Sequence, residues 1–335
     1  MIRHFEGYHC NQHEINKKMC FLITGLSGFV GHHLANYLLE NGHSVYGLLH
    51  NEQSKKICGV KYTIWNLRNN KPEEPEFLKL CQFDGIFHLA SLTHPPTSFK
   101  FPQLYFETNA LGAVNLCEFF GEYSIILQAS TPEIYGICPN KEIYETQPIN
   151  PISPYGVSKA VADLYIRERA INGNLKAFIT RAGSHTGAGR PSCYSISSDA
   201  YQIAKIKKGL QEPIIKVGNI QSQRAVMDVR DVVEAYYKIM MKYIEGKLPY
   251  GEIYHISSYD LHTIEYYIDL MTDLAGIKAE KVVDESLVRK IDIPIQILNS
   301  DKIRSVIDWQ PKIPIEQTLK DLLDYWKDYC NWKID

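Results

Sequence analysis

The chain has 335 residues, 45% of them hydrophobic and 22% charged, which is the composition of a globular protein and not of a disordered or fibrous one. Its 36 basic and 38 acidic residues nearly cancel, to a formal −2, so no global charge draws it to nucleic acid or to an anionic membrane. No apolar run reaches the roughly 20 residues that a membrane-spanning helix needs. The eight cysteines stand at 10, 20, 58, 81, 117, 138, 193 and 330 with no Cys-x-x-Cys pair, which fits neither a zinc site nor a disulfide framework and points to reduced thiols in the cytoplasm.

Residues 1–18 are polar and His-rich and lack the apolar core of a signal peptide, so they read as a disordered leader. His9 and His13 in it are weak metal candidates beside the simpler reading of a solvated tail. From Cys20 onward short apolar runs alternate with helical patterns. The strands expected are Cys20–Thr24, Ser44–Leu49, Tyr62–Trp65, Gly85–Leu89, Ser124–Ala129 and Lys176–Thr180, all nearly continuous in hydrophobicity, as strands buried on both faces should be. The helices between them include Phe29–Glu40, Leu104–Phe120 and Tyr155–Ile171. That alternation predicts an α/β fold with a doubly wound parallel sheet of the Rossmann type.

Beyond about residue 182 the pattern loosens. Helices are expected near Ile196–Lys208, Val229–Ile244, Thr263–Leu274 and Ile315–Trp326, with strands at Ile214–Val217 and Ile253–Ser257. The last of these should return to the main sheet. The expected division is a dinucleotide-binding domain over 19–182, with 220–262 returning to it. A smaller, interwoven C-terminal substrate domain takes 183–219 and 263–335.

The first strand runs into Thr24-Gly25-Leu26-Ser27-Gly28-Phe29-Val30-Gly31 and then a helix. Gly25 permits a tight turn, Gly28 lets the backbone approach a pyrophosphate, and Gly31 lets the helix pack closely. Alone the glycine trio would be an ordinary turn; between the first strand and first helix of an alternating chain it predicts dinucleotide binding across 25–31. Strand two ends at His50 and Asn51 without the acidic residue that holds the ribose of NAD, while Lys55 and Lys56 stand near. That favours NADP(H), with NAD(H) left open.

Tyr155 and Lys159 lie four apart at the start of a helix and so share a face. A nearby ammonium and an oxidised nicotinamide lower the pKa of a phenol, which fits Tyr155 for acid/base work at a carbinol or carbonyl oxygen. Pro132 forces Thr131 into extended backbone. Residues two apart in an extended segment point the same way, so Thr131 and Glu133 should both face the pocket above the strand end.

Taken together, TGLSGFVG at 24–31, HLAS at 88–91, Asn109 in TNALGAVNL, STPEIYG at 130–136 and YGVSK at 155–159 resemble the extended short-chain dehydrogenase/reductase family, over about Met19 to Trp326. The resemblance implies Tyr155 as acid/base, Lys159 at the nicotinamide ribose, Thr131 orienting the substrate oxygen, and Leu89 and Ala90 beside the dinucleotide. EPIIKVGN at 212–219 and WQPKIPIEQTL at 309–319 look like GDP-4-keto-6-deoxy-mannose reductases. The stretch Ala129–Gly136 looks equally like GDP-mannose 4,6-dehydratases, which use the glutamate matching Glu133 as a base at sugar C5. Two departures stand out: Ser184-His185 where Asn-His is common, and Arg224-Ala225-Val226 where Arg-Asp-Phe is common. Ser184, His185, Arg190 and Arg224 are the substrate-binding candidates, the arginines suiting a diphosphate.

The expected function is therefore an NADP-dependent nucleotide-sugar oxidoreductase, GDP-linked by preference, with a 4,6-dehydratase or epimerase as the alternative. A dinucleotide-binding regulator without turnover would usually lack the Tyr or the Lys, and both are present. Helices Leu104–Phe120 and Tyr155–Ile171 carry apolar residues beyond one narrow stripe, and family precedent pairs such helices in a homodimer.

Overall fold

The computed structural model describes residues 17–73, 78, 81–121, 123–138, 142–288 and 292–329. His9 and His13 lie outside the described residues.

Seven strands form the main sheet: β1 Cys20–Thr24, β2 Ser44–Leu49, β3 Lys61–Ile64, β4 Gly85–His88, β5 Ile125–Ser130, β6 Ala177–Ala182 and β7 Ile253–Ile256. All are parallel, in the order β7-β6-β5-β4-β1-β2-β3. The chain thus winds outward from β1 in both directions, and the switch between the two halves falls between β1 and β4. The carboxyl ends of strands at such a switch make the crevice where α/β proteins bind ligands.

Alternation along each strand feeds two cores. Phe21 and Ile23 of β1 bury on one face while Leu22 buries on the other, and Leu127 and Ile126 of β5 divide the same way. The first face is covered by α1 (Phe29–Glu40) and by a helix over Val229–Ile244. The second is covered by a helix over Pro154–Ile171 and by a broken helix before β5. Ile303, Ile307 and Trp309, far along the chain, bury in the first core, where the Trp309 indole donates to the Asp231 carbonyl at 2.9 Å.

The broken helix is the main difference from the expected single run over 104–120. It comprises α2 (Pro95–Lys100), α3 (Pro102–Phe106), a wide π turn at Glu107–Leu111, and α4 (Gly112–Phe120). The π turn carries Asn109, buried at 2% exposure. β6 runs to Ala182, past the expected end at Thr180, because Arg181 is buried in the strand and held by a carboxylate rather than marking a solvated end.

The Pro154–Ile171 helix, α5, leads into β6; beyond β6 come α6 (Ser195–Lys207), α7 (Val229–Ile244), α8 (Ile264–Ala275), α9 (Asp301–Val306) and α10 (Ile315–Tyr329). α6, α8 and α10 share a separate small core with Ile215, Val217 and Val226. Short strands at Ile214–Val217 and Glu280–Val283 pair in parallel. Gln223–Ala225 pairs with Leu261–Thr263 and with Ile295–Gln296. This smaller lobe is tied to the sheet by Asp228, which accepts from Arg230 and from the Thr318 hydroxyl of α10 at 2.8 Å.

Candidate active site

The turn after β1 is built by steric exclusion. Gly25 has φ +69°, and a Cβ there would sit 2.7 Å from the Ala90 amide nitrogen. A Cβ at Gly31 would sit 2.4 Å from the Gly25 carbonyl oxygen. At Gly28 the only neighbour within 4 Å is the same carbonyl, at 3.1 Å, so a side chain there would project into the open space above the turn. Gly28 also precedes α1 and provides no side-chain cap, leaving the first-turn N–H groups of Phe29, Val30 and Gly31 for a ligand. Ser27 is exposed at the tip. A pyrophosphate fits this cradle.

The carboxyl ends of β1 and β4 are tied together beside it. The Thr24 hydroxyl meets His88 Nδ1 at 2.7 Å and accepts from the Ala90 amide at 3.0 Å. Burial, helped by Lys159, pushes His88 down to about 3, so the ring is neutral. Leu89 and Ala90 thereby line the turn. At the end of β2, His50 and Asn51 are exposed and bonded to one another at 3.1 Å. The positive charge of Lys55 reaches back to His32, on the first turn of α1.

The catalytic candidates gather at the end of β5. Thr131 is extended (φ −151°, ψ 149°) and its hydroxyl accepts from the Glu133 amide at 3.3 Å. Here the expected alternation fails. Residues 132–135 form a 3₁₀ turn, started by Pro132 and capped by Thr131, so Glu133 does not continue an extended strand. The turn nonetheless leaves Glu133 within electrostatic reach of Tyr155, and the Thr131 hydroxyl within hydrogen-bonding reach of its phenol.

Tyr155 and Lys159 project from one face of α5, whose start is fixed by Pro154 and by the Ser153 hydroxyl accepting from the Gly156 amide at 3.0 Å. Lys159 is buried, and its Nζ donates to the Ala129 carbonyl at 2.5 Å. Burial pulls its pKa down to about 8, with Asp163, one turn on, pulling the other way. Asp163 is itself clamped by Arg181 through two bonds of 2.7 and 2.9 Å. Burial pushes the Tyr155 pKa up; Thr131 and Arg190 oppose this while Glu133 and Tyr194 add to it, so the phenol of the chain alone stays protonated.

Asn109 supports the site from behind. Its amide donates to Ser158 Oγ at 2.9 Å and to the Leu92 carbonyl at 3.0 Å, and accepts from the Leu92 amide at 2.8 Å. It was visible in the sequence as part of TNALGAVNL, but not its bracing of α5 against the loop after β4.

The substrate candidates divide. His185 pairs with Met227 between two short strands, lies parallel to the Phe29 ring at 6.3 Å, and is pulled down to about 4 mainly by burial. The Ser184 backbone carbonyl accepts from the Met227 amide at 3.1 Å. The Arg190 guanidinium lies 3.7 Å from the Tyr194 ring centre and 5.1 Å from that of Phe29, and its charge reaches Tyr155. Arg190 and His185 thus both lie beside Phe29 after the glycine turn, and the charge of Arg190 reaches Tyr155. Arg224 sits in the three-stranded sheet of the small lobe, 3.7 Å from the Asp292 carboxylate. Tyr194, which partners Arg190, carries no motif that sequence reasoning could have used.

A family model described as GDP-mannose 4,6 dehydratase matches residues 22–322. The chain belongs to that family. It is an extended short-chain dehydrogenase/reductase, and its relatives are nucleotide-sugar reductases, dehydratases and epimerases. GDP-6-deoxy-D-mannose reductase of Pseudomonas aeruginosa is 30% identical over 91% of this chain and 96% of its own. The structure of RMD from Pseudomonas aeruginosa complexed with NADPH superposes with a TM-score of 0.78 at 27% identity, covering 93% of this chain and all of that one. UDP-glucose 4-epimerase of Thermus thermophilus, solved with NAD, gives 0.80 at 26% identity over 92% and 99% of the two chains. No helix among the described residues is long and apolar enough to cross a membrane.

Proposed function

We propose that this chain is an NADP-dependent 4-reductase acting on a GDP-linked 4-keto-6-deoxy sugar. The observation that carries the reading is the buried Tyr155 on one helix face with Lys159 and beside the Thr131 hydroxyl, an arrangement that can deliver a proton to a ketone oxygen. The reading is supported by the likeness to the Pseudomonas aeruginosa reductase.

A bound nicotinamide dinucleotide would supply the hydride; Gly25, Gly28 and Gly31 would hold its pyrophosphate, with Phe29 and Val30 offering N–H groups. Tyr155 gives its proton to the carbonyl oxygen as that oxygen gains charge. Thr131 donates to the same oxygen and fixes its position. Lys159, anchored on Ala129, places positive charge behind the phenol and steadies the phenolate that remains. Arg190 and Arg224 are the proposed diphosphate ligands, with Ser184 and His185 at the sugar. His50 and Asn51 take the ribose end, and the positive charge near them suits a 2′-phosphate.

A 4,6-dehydratase is the second reading, favoured by the charge of Glu133 at Tyr155. Glu133 would then remove the C5 proton. Incubation with GDP-mannose, and separately with its 4-keto-6-deoxy product, with and without NADPH, decides between them by product mass. NADPH-dependent gain of two hydrogens on the keto sugar is expected; loss of water from GDP-mannose would give the second reading the chain.

We further propose a cytoplasmic homodimer joined through α3, α4 and α5. Phe106, Val157 and Leu164 stand exposed on these helices and Leu111 on the π turn between α3 and α4, and light scattering should give twice the chain mass.

A further inference from the structure

Arg190 is a charge held by rings. Its guanidinium lies 3.7 Å from the centre of the Tyr194 ring and 5.1 Å from that of Phe29. Among the described residues no carboxylate acts on it; the groups that do are the Tyr194 and Tyr155 phenols and the Cys193 thiol. Stacking on aromatic faces leaves both the charge and the in-plane N–H donors of a guanidinium free to meet an anion.

The loop that carries Arg190 is fastened at two places, one on each side of it. Before Arg190, Nε2 of His33 on α1 meets the Ala188 carbonyl at 2.9 Å. A carbonyl only accepts, so this nitrogen carries the hydrogen. After Arg190, the Tyr194 hydroxyl meets the Thr93 hydroxyl at 2.5 Å. His33 follows β1 and Thr93 follows β4, so the loop crosses the crevice at the switch point of the sheet. Neither anchor is loose. His33 stands edge-on to Phe29 at 5.3 Å. Thr93 lies between Leu92, whose amide and carbonyl are both held by Asn109, and His94, whose carbonyl accepts from Tyr105 at 2.7 Å. Tyr105 in turn meets the Tyr155 ring edge-on at 6.4 Å.

Between the anchors the loop has little stiffness of its own. Gly189 has φ +89°, and nothing lies within 4 Å of the place a Cβ would take. The Arg190 amide donates to the Gly187 carbonyl at 3.1 Å and the Ser197 hydroxyl donates to the Arg190 carbonyl at 2.6 Å, which sets the backbone. The guanidinium is set by the two rings, and the Tyr194 ring is itself set by Thr93 and by His94, which stands at right angles to it at 5.8 Å.

We propose that residues 187–194 are a strap pinned by His33 and Thr93, and that His33 and Tyr194 are positioning residues that hold the Arg190 guanidinium for the diphosphate of the nucleotide sugar, an inference that rests on the diphosphate role proposed for Arg190 above. The pyrophosphate of the dinucleotide has the same chemistry, and Phe29 stands beside its cradle, so the test has an arm for each.

The test is calorimetric titration of the full chain by GDP with NADPH present, and by NADPH alone. Arg190→Met should weaken GDP by about ten- to a hundredfold. Tyr194→Leu should weaken it by about tenfold and His33→Ala by about three- to tenfold, while Tyr194→Leu changes NADPH affinity by less than about twofold. In the Arg190→Met background neither change should add to the loss, because the group they place is gone. Tyr194→Phe, which keeps the ring and loses the tie, and Thr93→Val should each cost about threefold, and together no more than either alone. Losses that add in full to that of Arg190→Met would show His33 and Tyr194 acting on their own or on the fold, and overturn the inference. Losses of NADPH affinity as large as those for GDP would put Arg190 on the dinucleotide and overturn it too. An Arg190→Met variant that keeps GDP affinity removes the diphosphate role and the inference with it. A wild type that prefers UDP overturns only the GDP reading, since the diphosphate is common to both and the same variants then decide with UDP. A wild type that binds neither overturns both.

Discussion

Lys159 donates to the carbonyl of Ala129, two residues before Thr131, so α5 is latched to the strand end that presents the Thr131 hydroxyl. The latch holds a buried ammonium, and that has a stability signature. Lys159 titrates near 8 in the fold against the ordinary 10.5. Between those values the unfolded chain holds the extra proton, so the residue's contribution to stability rises with pH across that window, and its cost is fully present below about 8. Lys159→Met should therefore melt higher than the wild type at pH 7, with the gap narrowing from pH 8 to 10.5. Its activity should fall at least about a hundredfold. Calorimetric scans across pH check the first claim and initial rates the second.

Tyr155→Phe and Glu133→Gln separate donor from base. Tyr155→Phe keeps the ring against Tyr105 and removes the proton, so turnover should fall by about 10²–10⁴-fold in either reaction. Glu133→Gln should cost a reductase about tenfold or less, through altered positioning. A dehydratase would lose roughly 10²–10⁴-fold, because the C5 proton has no other acceptor. Steady-state rates on the keto sugar and on GDP-mannose read both.

The three glycines of the first turn should not behave alike. Gly31→Ala drives a Cβ to 2.4 Å from backbone and should destabilise the fold by about 1–3 kcal/mol. Gly28→Ala meets only the Gly25 carbonyl, at 3.1 Å, a contact that a small backbone shift eases, so urea unfolding should change by no more than about 1 kcal/mol. Its methyl enters the cradle, however, and dinucleotide affinity should drop at least about tenfold, measured by titration.

Arg181 and Asp163 form an ion pair at 2.7 Å with both side chains buried. Asp163→Asn leaves Arg181 with its charge unbalanced and should cost about 3–5 kcal/mol in urea unfolding. Arg181→Met combined with Asp163→Leu should cost clearly less than the single change, because neither charge is then stranded.

Where burial on both faces governs the chain, the sequence was readable. β1 and β2 lie over the residues expected, because an unbroken apolar run between turn residues has few other fates. The turn over 24–31 and the Tyr155–Lys159 pair were legible for the same reason: each depends on neighbours close in sequence. What could not be read depends on distant partners. Arg181 looked like the end of a strand because Asp163, which neutralises it, comes from another element. The upward push on Tyr155 follows from packing density, which no spacing encodes. Glu133 was misplaced in conformation because Pro132 is as good a start for a 3₁₀ turn as it is a stop for a helix.

The π turn at Glu107–Leu111 means that this helix carries one residue more than a regular coil of the same length would hold. Such a surplus residue behaves as an insertion that the protein has kept. Deleting one position between 107 and 111 would let the helix close into an ordinary α-helical register with its flanking turns nearly in place, since the wide turn spends one residue more on the same rotation. Asn109 would lose the widened backbone that carries it to Leu92 and Ser158, so a shortening that makes the helix more regular would unfasten the back of the candidate site.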